Sequence, residues 1–158
     1  LEELVARMAE FHEPLAQERN LSLRIEGAGR IVGDAALIER AIANLLSNAI
    51  RHAYSGTEVR VQVWKSGAQV GLAVRNRGAG IAKADLARVF ERFWRGDPAR
   101  SDSVRSSGLG LAIVQSIARL HEARAEVESE PGGLTEFRLV FPAEPFSSGS
   151  SGSSRDCA

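Results

Sequence analysis

An α+β two-layer sandwich, with helices over one face of a sheet and the other face largely solvated, is the fold class that this sequence predicts. Three observations carry it. Segments with apolar residues at helical spacing are interspersed with hairpin-linked runs of period two. The 158 residues, 44% of them hydrophobic, suit one compact domain and are short for two. No internal repeat competes with that reading.

Leu1, Leu4, Met8, Phe11 and Leu15 mark an amphipathic helix to about Arg19, which Pro14 is expected to kink or divide. In "LSLRIEG" the residues Leu21, Leu23 and Ile25 alternate as in a strand, "GAGR" turns, and "IVGD" reads as a short strand. Asp34 is placed to cap a long helix running to about Tyr54. "EVRVQVWK" and "AQVGLAVR" form a hairpin across Ser66 and Gly67. Helical spacing returns in "ADLARVFERF", and a polar loop, "WRGDPARSDSVRSSG", follows; loops of that length inside a domain are usually functional or disordered. "LGLAIVQSIARLH" is a helix with apolar Leu109, Ala112, Ile113, Ile117 and Leu120. "RAEVESE" and "LTEFRLVF" make a second hairpin through Pro131, Gly132 and Gly133, and a Ser/Gly-rich tail occupies 146–158.

Composition narrows the function. Lys plus Arg and Asp plus Glu both number 20, so the net charge is zero and nothing in bulk favours nucleic acid or an anionic membrane. Any anion must be met locally. Cys157 is the lone cysteine, which excludes a disulfide framework or thiolate cluster and suits the cytoplasm. No apolar run reaches the roughly 20 residues that cross a bilayer. The chain opens on Leu1 within a helical pattern and reads as a piece of something longer, monomeric by itself.

Four constellations carry possible chemistry. In "RAIANLLSNAIRH" the amides of Asn44 and Asn48 lie one turn apart beside an apolar face, although asparagine is a poor helix-interior residue. They are either core amides bonded to nearby loops or ligand contacts; an amide oxygen is a hard ligand suited to Mg²⁺, and Arg51 on the same stripe suits a phosphate. In "VRNRGAGI", Gly78 and Gly80 permit a turn close to a flat ligand, and Asn76 offers a donor and an acceptor matching an adenine edge. In "SSGLGLAIV" a glycine-rich helix start presents free N–H groups to an anion, unless Ser107 caps it. Arg95, ending "VFERFWR", can swing over phosphates or simply complement a helix dipole. Neither a Walker loop nor a dinucleotide fingerprint is present.

The order of these segments resembles the N box, first glycine box, F box and second glycine box of sensor histidine kinases, over about Leu21 to Phe141. "RFWRGDPARS" resembles the heavy-metal-sensor branch in particular. The resemblance implies a Bergerat-type ATP-binding fold with a mixed sheet, a catalytic ATP-binding domain at 20–145 and a linker helix region at 1–19. It implies Mg²⁺ on Asn48, with Asn44 supporting the metal-phosphate site, Arg51 toward the phosphates and His52 toward ribose or adenine. Asn76, Gly78, Gly80 and Ile81 would shape the adenine pocket. Residues from about Trp94 to Ser107 would form a lid, with Arg95 on the phosphates and Ser107, Gly108, Leu109 and Gly110 at the phosphate-facing turn.

Two departures stand out. Asn76 replaces the usual aspartate, which implies weaker ATP binding by roughly 1 kcal/mol, and Arg77 replaces a small residue, so it either faces solvent or crowds the pocket. In gyrase-type ATPases a glutamate at the position of Asn44 activates water; an amide cannot. The implied activity is therefore transfer of the ATP γ-phosphate to a histidine on dimerisation helices outside this chain, with a response regulator receiver domain as downstream partner, in the cytoplasmic part of a membrane-anchored sensor. A nucleotide-sensing module of the same fold and a hydrolytic ATPase are the alternatives. His12-Glu13-Pro14 has its proline too early for the phosphoacceptor motif, and His121 reads as structural or solvent-exposed.

Overall fold

The computed structural model describes residues 1–95 and 108–142. The elements run α1 (Glu2–Glu18), β1 (Ser22–Glu26), α2 (Ala35–His52), β2 (Glu58–Ser66), β3 (Gln69–Arg77), α3 (Gly110–Leu120), β4 (Arg124–Ser129) and β5 (Leu134–Pro142). One five-stranded sheet has the order β1-β2-β3-β5-β4. Only β1 and β2 are parallel, and α2 is the crossover that such a pair requires. The sheet is mixed, and the α+β class stands.

Alternation decides which face of the sheet is covered. Val59, Val61 and Val63 on β2, Leu72 and Val74 on β3, and Phe137, Leu139 and Phe141 on β5 are all buried. Ile42, Leu45, Leu46, Ala49 and Ile50 of α2 join them in one core. The other face carries charges: Arg24, Arg60, Arg75, Glu136 and Glu128 fall in one row across the strands. Arg75 pairs with Glu136, and Arg138 reaches Glu136 at 3.4 Å and Glu126 at 3.7 Å. Glu136 is buried between its arginine partners at the centre of this row, whereas Arg24 and Glu128 at its two ends are exposed and add little stability.

Asp34 caps α2 as expected, its side chain accepting from the Leu37 N–H at 3.0 Å, a bond typically worth ~1 kcal/mol. His121 secures the same corner: its Nδ1 donates to the Ile117 carbonyl at 2.8 Å and its Nε2 accepts from the Asp34 N–H at 3.0 Å. His12 is 5% exposed and holds α1 to α2, with Nδ1 donating to the Met8 carbonyl at 2.7 Å and Nε2 against Ser47 Oγ at 3.0 Å.

Three local expectations are corrected. "IVGD" is not a strand: residues 31–34 run out of the sheet into the cap of α2 with Val32 71% exposed, and they are not laid along the free outer edge of β1. Pro14 does not divide α1, which is continuous across it. "ADLARVFERF" is a series of turns and not a regular helix: the Asp85, Arg88 and Glu91 N–H groups bond three residues back to Ala82, Asp85 and Arg88. Its period survives because Val89 and Phe90 still reach the core, Phe90 edge-on to Phe137 with ring centroids 6.1 Å apart. Leu120 is also turned outward, 72% exposed. The tail at 146–158 lies outside the described residues.

Candidate functional site

The fold brings the singled-out segments to one end of the covered face. Asn44, Asn48, Arg51 and His52 follow one stripe of α2 that the core leaves uncovered: the two amides are half-buried, and Arg51 and His52 are exposed. From residue 44 to 52 is eight steps of helix, about 12 Å at 1.5 Å each. The Asn44 end of this stripe meets the start of α3. A Cβ on Gly110 would lie 3.0 Å from Asn44 Oδ1, so a side chain there would press that oxygen aside by a few tenths of an ångström. The Nδ2 of Asn44 donates back to the Arg40 carbonyl at 2.8 Å, and this leaves the oxygen as the outward-facing atom.

The His52 end meets β3. Ala53 and Gly78 form an isolated bridge, and the Tyr54 N–H donates to the Arg77 carbonyl at 2.8 Å. Gly78 sits against the His52 carbonyl and beside Asn76. Asn76 is 2% exposed, and its carboxamide takes part in none of the side-chain hydrogen bonds of the described residues. Arg77, the next residue, points to the open face and is exposed, so it faces solvent and does not crowd the site.

The turn holding Gly78, Gly80 and Ile81 is stitched to the β4–β5 hairpin. The Gly78 N–H donates to the Gly133 carbonyl at 3.0 Å, the Gly132 N–H to the Ala79 carbonyl at 2.7 Å, and the Ile81 N–H to Ser129 Oγ at 2.9 Å. Ser129 Oγ is 2.7 Å from Thr135 Oγ1, and Thr135 stands opposite Asn76 in the sheet. Ser129 and Thr135 were not singled out from the sequence. The available signal was a polar residue at an inward position of "LTEFRLVF", where Phe137, Leu139 and Phe141 occupy the other inward positions.

A third closure joins the segments on either side of 96–107. The Phe93 N–H donates to the Gly108 carbonyl at 2.9 Å, and Trp94 packs against the core. Arg95 follows and is exposed. Ser107 and most of the span expected to form a lid lie outside the described residues. Leu109 occupies the N-cap position of α3 and makes no side-chain cap bond, so the first N–H groups of that helix are without the usual side-chain acceptor.

The stripe from Asn44 to His52 carries one arginine, Arg51, and no carboxylate. Among the described residues no three His, Cys, Asp or Glu side chains gather as a metal cage. A hard cation held here would need the amide oxygens together with oxygens from an anionic ligand. His52 is exposed as a whole residue, yet its ring lies against enough of the protein that its pKa is lowered from 6.5, first by desolvation and then by the positive charges of Arg51 and Arg19. Its folded pKa lies below its unfolded one, so its contribution to stability is complete above about pH 6.5 and is lost as pH falls through the lower folded value. In His52→Gln the loss of melting temperature between pH 7 and pH 5 is therefore expected to shrink, as thermal melts at the two pH values would measure.

Comparison with known proteins follows the same lines. Residues 33–145 match the family described as histidine kinase-, DNA gyrase B-, and HSP90-like ATPase. The chain is 42% identical over 136 residues to the sensor protein CzcS of Cupriavidus metallidurans, covering 86% of this chain and 29% of that protein. It is 39% identical over 140 residues to the sensor histidine kinase CusS of Escherichia coli K12, covering 88% and 29%. Among solved structures, full-length ShkA in complex with AMPPNP superposes with a TM-score of 0.78 at 27% identity, over 89% of this chain and 29% of that one. The chain thus spans about three-tenths of the length of these relatives.

Proposed function

Because the chain belongs to the histidine kinase-, DNA gyrase B-, and HSP90-like ATPase family, we propose that it is the Mg-ATP-binding catalytic domain of a sensor histidine kinase. It would deliver the γ-phosphate of ATP to a histidine on dimerisation helices outside this chain. The observation that carries the reading is the stripe of amides on α2 facing the uncapped start of α3, with Gly110 making room for the Asn44 oxygen.

On this reading each residue has a task. The first N–H groups of α3, at Leu109 and Gly110, receive phosphate oxygens together with the helix dipole. Asn48 supplies an oxygen to the metal, and Asn44, oriented by the Arg40 carbonyl, supports it. The Mg²⁺ ion, when bound, neutralises charge developing on the phosphates. Arg51 and Arg95 neutralise the phosphates from the solvent side, and Ser107 and Gly108 bound the same end. His52, kept neutral, lies toward the ribose or base; Asn76, Gly78, Gly80 and Ile81 hold the adenine.

The stripe provides amides and a cation but no carboxylate to activate water, which favours transfer over hydrolysis. His12 is buried with both ring nitrogens engaged, which supports placing the phosphoacceptor elsewhere. In the whole protein the partners would be the histidine-bearing helices and a response regulator receiver domain, on the cytoplasmic side of a membrane-anchored sensor. Residues 20–145 would be the working domain, monomeric alone, with 1–19 as its entering helix.

A second reading, a module that senses nucleotide without transferring phosphate, is favoured by Asn76 alone. One experiment separates the readings. The chain is mixed with a separate protein carrying the family's dimerisation helices and with γ-labelled ATP. Acid-labile label on histidine is the expected result, and the chain alone should not label itself. Binding without label supports the sensing module, and steady phosphate release without an acceptor supports an ATPase.

A further inference from the structure

We propose that Asn76 makes the base pocket tolerant at position 6 of the purine, so that inosine triphosphate binds within about tenfold of ATP. The inference rests on the nucleotide reading above and deepens it. It comes from what surrounds this one carboxamide.

Asn76 lies on the covered face at the end of β3 and is 2% exposed. A buried amide is normally held by neighbours that fix which way its oxygen and nitrogen point. Here none of the described residues does so. Thr135, directly across the sheet, is bonded through its hydroxyl to Ser129, and Ser129 also accepts from the Ile81 N–H. Gly78 presents no side chain: a Cβ there would stand 3.2 Å from Asn76 Nδ2, so the glycine leaves the amide room to turn about its terminal bond.

An amide free to turn has two faces of equal shape and opposite polarity. With Oδ1 outward it accepts from the 6-amino group of adenine while Nδ2 donates to N1. Turned by half a rotation, it donates from Nδ2 to a 6-oxo group while Oδ1 accepts from N1–H. A carboxylate at the same position can only accept, and would leave the 6-oxo group facing a charge. Sites with one fixed polarity reject the mismatched ligand by as much as ~10⁴-fold; a reversible amide forfeits that discrimination.

The test is calorimetric titration of the chain with Mg-ATP and with Mg-ITP, which differ in the group at position 6 and in the proton on N1. Comparable dissociation constants, within about tenfold, are expected for the natural chain. Asn76→Asp is expected to raise the ATP-to-ITP preference by more than about tenfold. Because that variant buries a charge and can fail to fold, Asn76→Ala serves as the second probe, and it should weaken both nucleotides by the same factor. A preference for ATP clearly above about tenfold in the natural chain, or an alanine variant that weakens ATP alone, overturns the inference and leaves the nucleotide site standing. Absence of heat with both nucleotides overturns the site reading and this inference together.

Discussion

Asn48→Ala is expected to abolish magnesium-dependent nucleotide binding while leaving the fold almost unchanged. Asn48 is half-buried on the uncovered stripe of α2, and the neighbours that build the core, Ala49 and Ile50, face the other way. Alanine is the better helix former, so its own contribution to helix stability is slightly favourable. Losing even a partner in the outer shell of a metal site costs ~10–100-fold in affinity or activity, and a direct ligand should cost more. Calorimetry with ADP, with and without magnesium, measures this. The magnesium-dependent gain in affinity disappears in the variant, the magnesium-free affinity moves by less than about threefold, and the melting temperature stays within ~2 °C. A magnesium gain that persists would remove Asn48 from the metal site.

Gly80→Ala is expected to cost about 2–4 kcal/mol of stability. Gly80 has φ +73°, in the left-handed region, where a Cβ costs roughly 1–2 kcal/mol. That Cβ would also collide with the Glu130 backbone carbonyl, which cannot swing aside as a side chain would. Relief requires moving the hairpin turn that bonds to Gly78 and Ala79, so the base pocket and the hairpin deform together. A fall of ~6–12 °C in melting temperature follows at the usual scaling for a domain of this size. Nucleotide affinity should fall with it. Denaturant melts compared with nucleotide titration at low temperature separate the two effects. A variant as stable as the natural chain would show that the turn is free to rearrange.

How much of this was legible depended on the range of each interaction. The N-cap at Asp34 was readable because its bond closes within three residues, and the hairpins because alternation and turn residues are local. The helical period in "ADLARVFERF" was real, but it was satisfied by turns that still deliver Val89 and Phe90 to the core. Period alone does not distinguish a regular helix from successive tight turns with the same buried face. "IVGD" failed for another reason: a strand must be laid beside a partner edge, and no window of sequence shows where the folded chain will run. At the site, Asn44, Asn48, Asn76 and the glycines stood out as residues poorly suited to their local element. Ser129 and Thr135 did not, because a serine or threonine in a strand is ordinary until its neighbour across the sheet is known.

The sequence by itself determined the α+β class, the element order with the exceptions above, and the set of residues too polar or too small for a purely structural role. Only the tertiary structure decided that Asn44 faces Gly110, that Arg77 looks away into solvent, and that Asn76 is buried with none of the described residues holding its amide. Periodicity and capping are energies between residues a few positions apart, so they are written along the chain. The site is made by contacts between residues 66 positions apart, as for Asn44 and Gly110, and those exist only after the core has closed.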